Sequence, residues 1–180
     1  MLKHIPNILT IFRFILIPII FYFVLKNNYI LAVIFLILSG ATDVLDGYIA
    51  RKYNFVTTFG TLVDPLADKF TQIATLLVLV IKNLIPLWIL LVLLLKEILM
   101  ISGASFLFEK QTIAIPSKWY GKITTVLIYL AIFLSMIKKQ IGLDFSIDLY
   151  LYYIAVIFAF YSLIMYYKIF AEYRKEIKSK

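Results

Sequence analysis

Six stretches of the chain are long and apolar, and short polar segments separate them. A helix needs about 20 largely apolar residues to cross the hydrocarbon core of a bilayer. Turn-forming or charged pairs, such as Asn27-Asn28 and Lys82-Asn83, interrupt the apolar pattern between stretches. The pattern predicts six membrane-spanning helices, over Ile8 to Leu25, Tyr29 to Ile49, Leu62 to Ile81, Ile85 to Phe108, Ile123 to Ile137, and Leu149 to Phe170.

The composition agrees with a chain embedded in lipid. Of its 180 residues, 63% are hydrophobic and 16% charged, and the mean hydropathy is +0.98. Soluble domains have about 45–50% apolar and about 25% charged residues. Because the connections are short and no linker divides the spans, we expect one domain over residues 1–180. The predicted fold is an all-α polytopic membrane protein with six transmembrane helices in one bundle.

Basic residues are distributed unequally between the two sides of this predicted bundle. The side with both termini carries ten of them: Lys3, Arg51, Lys52, Lys110, Lys118, Lys122, Arg174, Lys175, Lys178 and Lys180. The other side carries four: Lys26, Lys82, Lys138 and Lys139. Short loops rich in Lys and Arg stay cytoplasmic, so both termini are predicted in the cytoplasm. The net charge of +8 then faces anionic lipid headgroups, and we expect no nucleic-acid partner.

Carboxylates are the remaining candidates for metal ligands. The chain has no cysteine and a single histidine, His4, which excludes disulfides, thiolate sites and cages of several histidines. Acids inside transmembrane segments are costly and normally functional. Four such acids lie within, or at the cytoplasmic ends of, the second and third spans: Asp43, Asp46, Asp64 and Asp68.

The spacing of these acids places them on two helix faces. Asp43 and Asp46 are three residues apart, and Asp64 and Asp68 four, so each pair shares a face. The short connection predicts that the two helices are antiparallel neighbours whose acidic faces meet at one depth. Converging carboxylates need a cation, and oxygen ligands select Mg²⁺ or Mn²⁺. A cluster of four suits two such ions acting on a phosphoryl group.

Small and basic residues beside the acids fit an anionic substrate. Gly47 and Gly60 allow a ligand to approach the backbone closely, although helix packing also favours small residues here. Arg51 offers a fork that matches a phosphate. No Cys or Ser–His pair is available for a covalent intermediate, so direct attack by an acceptor hydroxyl, with one carboxylate as base, is the simplest chemistry. The residues predict a diphosphate-like substrate bound at the cytoplasmic membrane surface.

The acids and their neighbours also form a contiguous signature. The chain reads Asp43-x-x-Asp46-Gly47-x-x-Ala50-Arg51, then eight residues, then Gly60-x-x-x-Asp64-x-x-x-Asp68. This pattern resembles the signature of the CDP-alcohol phosphatidyltransferases at every position, and its length makes a chance match rare. Three further segments resemble the phosphatidylglycerophosphate synthase branch: Pro6-Asn7-x-Leu9-Thr10-x-x-Arg13, Asp64-Pro65-x-Ala67-Asp68-Lys69, and Gly121-Lys122 with Thr125.

The resemblance implies a homodimeric enzyme that transfers a phosphatidyl group from CDP-diacylglycerol to an alcohol and releases CMP. Asp43, Asp46, Asp64 and Asp68 would hold two divalent ions, and Asp68 would also act as the base. The donor pocket would be lined by Asn7, Thr10, Gly47, Ala50, Arg51 and Gly60. We expect a multi-pass protein of a bacterial cell membrane, with its active site on the cytoplasmic side.

Glycerol-3-phosphate is the acceptor implied first, and such an anion needs cations in its pocket. The candidates are Arg13, Lys69, Lys96, Lys118 and Lys122. Ala104 and Thr124 stand where this branch usually has basic residues, and Lys96-Glu97 where it has an Arg–acid pair. These departures resemble the CMP-forming cardiolipin synthases, which use phosphatidylglycerol as acceptor, and that reaction is the alternative.

Other interpretations of the charged residues are open from sequence. Lys96 and Glu97, which need not pair with each other, either contribute to binding or fix packing through partners on other helices. Asp144 and Asp148 are expected to be solvated. Intramembrane acids also mark ion paths, so a small ion-coupled transporter is the non-enzyme alternative, although it requires a polar path across the whole bilayer. An intramembrane prenyltransferase would need more helices.

Overall fold

The computed structural model describes residues 5–53, 58–109 and 119–178. Within these ranges it describes side chains except at residues 5–7, 50–51, 58–62, 64–65, 101, 103–109, 170 and 172–178. The described residues form six α-helices: α1 Ile5–Leu25, α2 Tyr29–Lys52, α3 Thr58–Ile81, α4 Leu87–Glu109, α5 Trp119–Ile141 and α6 Ile147–Lys178. The predicted all-α class is confirmed.

Four of these helices are long and apolar enough to cross a membrane. The segments found among the described residues are Ile8–Leu25, Tyr29–Ile49, Trp119–Ile141 and Ile147–Ile169, with mean hydropathies of 2.5, 1.9, 1.7 and 1.8. The first two have the predicted bounds, and the last two overlap the predicted fifth and sixth spans. The other two predicted spans are helical as α3 and α4, which are not among the four.

Large apolar side chains point outward along the helices. Ile15 on α1, Ile37 on α2, Val126 on α5 and Ile157 on α6 are all more than half exposed. A soluble protein rarely shows so much exposed apolar surface, and lipid is the solvent that accepts it. The helices also satisfy their own backbone hydrogen bonds, as a lipid environment requires.

A residue with a left-handed backbone conformation follows the end of each of α1, α3 and α5. Asn27 has φ 60°, Asn83 φ 55° and Gly142 φ 73°, and these are residue types that adopt this conformation at low cost. After α1, the N–H of Asn28 donates to the carbonyl of Phe23 over 2.9 Å. This reversal satisfies the last carbonyls of the helix and explains why the predicted turns fall at the asparagines.

The first of two compact units comprises Met1–Ile85 and Ile132–Phe145. In this unit α1 packs along both α2 and α3, with the rings of Phe14 and Phe70 6.2 Å apart between their centroids. Among the residues that the structure describes, the helices α2 and α3, predicted as neighbours, contact each other over a short stretch. Helix α1 therefore organises this unit.

The second unit comprises Pro86–Ala131 and Ser146–Lys180, and in it α4 packs against α6. Asp148, in the first turn of α6, is 2% exposed. The prediction that Asp148 is solvated is therefore wrong, whereas Asp144 is exposed as expected. A carboxylate in the first turn of a helix is favoured by the helix dipole, which helps to offset the cost of its burial.

Candidate active site

A buried arginine of α1 joins two acids of α2. The guanidinium of Arg13 donates from Nη1 to Oδ1 of Asp43, and from Nη2 to Oδ2 of Asp46 over 2.8 Å. The side chains of Arg13 and Asp46 are 1% and 3% exposed, whereas that of Asp43 is 44% exposed. Two carboxylates one helical turn apart thus converge on one cation, and Asp43 is the member that reaches the surface.

This ion-paired cluster, Arg13 with Asp43 and Asp46, lies at the polar end of a graded interior. Among the described side chains of the first three helices, the buried polar residues are Thr10 and Arg13 on α1, Ser39, Thr42 and Asp46 on α2, and Thr71, Gln72 and Thr75 on α3. The buried apolar residues beyond them include Leu16, Ile20 and Val24 on α1, Ala32, Val33 and Leu36 on α2, and Leu76, Val78 and Leu79 on α3. Because α2 runs opposite to α1, all three faces become polar toward the same end.

Helix α3 contributes Asp68 and Lys69 to this polar end. Both residues are half-buried, and Ala67 before them is fully buried. One turn further along, Thr71 donates its hydroxyl to the carbonyl of Ala67 over 2.9 Å. A threonine that bonds to its own helix needs no partner elsewhere, so the hydroxyl is tolerated inside an apolar span.

The sequence profile of the CDP-alcohol phosphatidyltransferases matches residues 3–161 of the chain. This stretch contains the ion-paired cluster and all four acids of the signature. The chain belongs to the CDP-alcohol phosphatidyltransferase family. The motif resemblance is thereby confirmed, and with its apolar helices the chain is a multi-pass membrane enzyme of this transferase class.

Relatives of this phosphatidyltransferase align over much of its length. A CDP-diacylglycerol–glycerol-3-phosphate 3-phosphatidyltransferase of Aquifex aeolicus is 39% identical over 132 residues, which cover 72% of this chain and 73% of the relative. A protein of the same name from Wigglesworthia glossinidia brevipalpis is 33% identical over 173 residues, covering 92% and 94%. A cardiolipin synthase (CMP-forming) / mitochondrial hydrolase fusion protein of Schizosaccharomyces pombe is 34% identical over 106 residues, covering 59% of this chain and 18% of the relative.

The four signature acids of this phosphatidyltransferase are described to different extents. Asp43 and Asp46 converge, Asp68 is half-buried on α3, and the side chain of Asp64 lies outside the described side chains. Among the residues that the structure describes, no group of three or more acids and histidines is arranged to hold a metal ion. The donor set nevertheless fits a hard divalent cation, because it consists of carboxylates and two of them already direct an oxygen to one positive group.

Two of the predicted donor-binding residues can be placed. Thr10 is 1% exposed and lies one turn before Arg13, and Gly47 is half-buried directly after Asp46. Both are therefore next to the ion-paired cluster. The other four predicted donor-binding residues lie outside the described side chains: Asn7, Ala50, Arg51 and Gly60.

The predicted acceptor-binding cations occupy different environments. Arg13 is engaged by the two acids, and Lys69 is half-buried on α3. Lys122 is exposed on α5 in the second unit, and Lys118 lies outside the described residues. Lys69 directly follows Asp68, so it lies beside a signature acid.

Lys96 and Glu97 of α4 form a buried ion pair with each other. Nζ of Lys96 donates to Oε1 of Glu97 over 2.6 Å, and the side chains are 5% and 10% exposed. The sequence analysis left binding and packing open for these neighbours and did not predict that they pair with each other. Long, flexible side chains can bridge the angle of about 100° between adjacent helix positions.

Except for Thr10, the neutral polar residues of the graded interior were not singled out from sequence. Helical spacing places Ser39 and Thr42 on the same face as Asp46, and Gln72 lies four residues after Asp68. A polar residue on the same helix face as a signature acid is therefore the sequence signal that could have identified them. Gln72 is 2% exposed, and its Nε2 has no hydrogen-bond partner among the described residues.

Proposed function

We propose that this phosphatidyltransferase transfers the phosphatidyl group of CDP-diacylglycerol to the hydroxyl of glycerol-3-phosphate, giving phosphatidylglycerophosphate and CMP. The observation that carries the proposal is the 33% identity, over 92% of the chain, to a relative named for this reaction. The convergence of Asp43 and Asp46 on one cation supports it, because an anionic diphosphate needs positive charge held by such acids.

The proposed reaction is a direct displacement. The acceptor oxygen bonds to the phosphorus of the phosphatidyl group, and the bond from that phosphorus to the bridging oxygen breaks. CMP leaves with the bridging oxygen and its electron pair. The proton of the acceptor hydroxyl passes to a carboxylate oxygen of Asp68, which the motif assigns as base.

Two divalent ions, Mg²⁺ or Mn²⁺, would be held by Asp43, Asp46, Asp64 and Asp68, and would neutralise the diphosphate and the leaving oxygen. The remaining donor contacts are assigned by the motif to Asn7, Thr10, Gly47, Ala50, Arg51 and Gly60. The burial of Thr10 and Gly47 beside the ion-paired cluster supports these two assignments.

The acceptor phosphate would be bound by cations drawn from Arg13, Lys69, Lys118 and Lys122. The position of Lys69 next to Asp68 supports this assignment, since the acceptor hydroxyl must approach the base. Phosphate and ammonium groups attract each other strongly where water is partly excluded.

The proposed setting is a bacterial cell membrane, with both termini and the active site in the cytoplasm. The excess of basic residues on the terminal side supports this orientation. We further propose one domain of six transmembrane helices in a single bundle, working as a homodimer, as the family resemblance implies.

The second candidate is a CMP-forming cardiolipin synthase, in which phosphatidylglycerol is the acceptor. The identity of 34% over 106 residues to the fission-yeast fusion protein favours it, as do Ala104 and Thr124 at positions where basic residues are usual. Both reactions use the same donor chemistry, so the acids do not distinguish them.

Release of CMP by the purified protein in detergent tests the proposal. CDP-diacylglycerol and Mg²⁺ or Mn²⁺ are supplied, and glycerol-3-phosphate, phosphatidylglycerol, serine and inositol phosphate are offered separately. We expect release with glycerol-3-phosphate and none with the others. Release with phosphatidylglycerol alone would establish the cardiolipin reaction instead, and silence with every acceptor would contradict both.

A further inference from the structure

We propose that Arg13 is a resident counter-cation, which holds Asp43 and Asp46 in their convergent arrangement and competes with a divalent ion for them. The inference rests on the proposed function, because it takes these acids to be ligands of a divalent ion. It makes Arg13 a positioning residue, a role separate from any contact with the acceptor.

Burial is the first reason why these acids need a resident cation. The side chain of Asp46 is 3% exposed within an otherwise apolar helix. An ionised carboxylate at such a place requires a partner at all times, including the interval after products leave. Arg13, itself 1% exposed, is buried against it and supplies the compensating charge within the protein.

The geometry of the guanidinium is the second reason. Its two terminal nitrogens belong to one rigid planar fork, and each of them donates to a different carboxylate. The fork therefore fixes the separation of Asp43 and Asp46 as well as their charge. A lysine has a single ammonium nitrogen on a flexible stem and could not impose this separation.

Competition with a metal follows from the same contacts. A unit positive charge within hydrogen-bond distance of both carboxylates repels any second cation that they bind. It also uses one oxygen of each carboxylate, Oδ1 of Asp43 and Oδ2 of Asp46. Arg13 should therefore lower the affinity of the site for a divalent ion and so favour the exchange of that ion between turnovers.

The test measures Mn²⁺ binding to the full-length protein in detergent, with no lipid or nucleotide present. Electron paramagnetic resonance of free Mn²⁺ gives the Kd, and thermal unfolding with and without Mn²⁺ gives the stabilisation. The variants are Arg13→Gln, which removes the charge, and Arg13→Lys, which keeps it. Lys139→Gln is the matched control, because it removes an exposed positive charge of the same unit far along α5.

We expect Arg13→Gln to bind Mn²⁺ at least about tenfold more tightly than the unaltered protein. Its Tm should be lower without Mn²⁺ and should rise more when Mn²⁺ is added, because the metal replaces the lost charge. Arg13→Lys keeps the charge but loses the fork, so its Kd should stay within about threefold of the unaltered value. Its Tm without Mn²⁺ should fall between those of Arg13→Gln and the unaltered protein, because one ammonium cannot hold both acids. Lys139→Gln should match the unaltered protein in both measurements.

An unchanged or weaker Mn²⁺ affinity in Arg13→Gln would overturn the inference. So would a tenfold gain in Arg13→Lys, which decides the question even where Arg13→Gln does not fold. The metal site is tested separately. If the unaltered protein binds no Mn²⁺ that Asp43→Ala abolishes, the proposed metal site is refuted and the inference falls with it. If the unaltered protein binds Mn²⁺ and releases CMP while Arg13→Gln shows no gain, only the role of Arg13 is refuted.

Discussion

Arg13 and Asp46 form a buried ion pair between α1 and α2, with Nη2 2.8 Å from Oδ2. Removal of one partner from a buried pair typically costs 3–5 kcal/mol, and Asp46→Ala would leave the buried guanidinium of Arg13 with the half-exposed Asp43 as its remaining partner in the cluster. We therefore expect Asp46→Ala to lower the free energy of unfolding by about 3 kcal/mol, measured as a lower Tm in detergent. Asp43→Ala should lower the Tm much less, because water screens its 44% exposed side chain. Equal losses in the two variants would contradict this difference.

Asp68→Asn should separate catalysis from donor binding. An amide keeps the shape and one oxygen of the carboxylate but cannot accept the acceptor's proton, so CMP release should fall by roughly 10²-fold or more. Binding of CDP-diacylglycerol, followed by calorimetry, should persist. A variant that loses donor binding and turnover together would argue against Asp68 as the base.

The pair Lys96 and Glu97 offers a test of packing against binding. Glu97→Gln leaves a buried ammonium with a weaker partner and should lower the Tm, whereas Lys96→Met combined with Glu97→Leu should restore much of the loss. CMP release by the double variant should stay near normal if the pair serves packing alone. A stable double variant with a raised KM for the acceptor would instead assign Lys96 to binding.

Gln72 should be replaceable by an apolar residue. Its buried Nε2 lacks a hydrogen-bond partner among the described residues, and such a group typically costs 1–3 kcal/mol. Gln72→Met keeps a similar volume and should raise the free energy of unfolding by about 1 kcal/mol with CMP release maintained. Thr75→Val is the matched control, because the hydroxyl of Thr75 is satisfied by the carbonyl of Thr71 over 2.7 Å. Lost activity in a stabilised Gln72→Met would show that the amide contacts substrate.

Lys122→Gln should act on the acceptor. If this exposed lysine helps to bind glycerol-3-phosphate, loss of its charge should raise the KM for that acceptor about tenfold and leave the KM for CDP-diacylglycerol unchanged. Lys139→Gln, which removes another exposed lysine of the same helix, should change neither value. A change confined to the donor would refute the placement of Lys122 in the acceptor pocket.

Hydropathy predicted which segments are helical better than it predicted where they end. The predicted start of α2 at Tyr29 agrees with the structure, because the asparagines before it form the turn. Helix α5 was predicted to run from Ile123 to Ile137 but extends over Trp119–Ile141. Charged residues at its ends interrupt the apolar pattern without breaking the helix, since long side chains can reach out of the lipid. Helix α6 likewise extends beyond the predicted end at Phe170, to Lys178.

The acids of the site were predictable in part. Helical spacing alone placed Asp43 and Asp46 on one face, as observed. That Arg13 would join them was not predictable, because the contact depends on how α1 is rotated against α2 and no periodicity within one helix contains that angle. The burial of Asp148 was not predicted, because a polar residue at the start of a helix has the same sequence pattern whether its side chain is buried or exposed.

The graded interior of the first unit has a consequence for how a lipid substrate is supplied. A donor of the proposed kind can lie parallel to the helices, with its charged head at the polar end and its acyl chains along outward-facing apolar side chains such as Ile15 and Ile37. It then need not leave the bilayer. The rate then depends on the mole fraction of the donor among the lipids of the membrane. Dilution of CDP-diacylglycerol with inert lipid should slow the enzyme even when the amount of donor per volume of suspension is held constant.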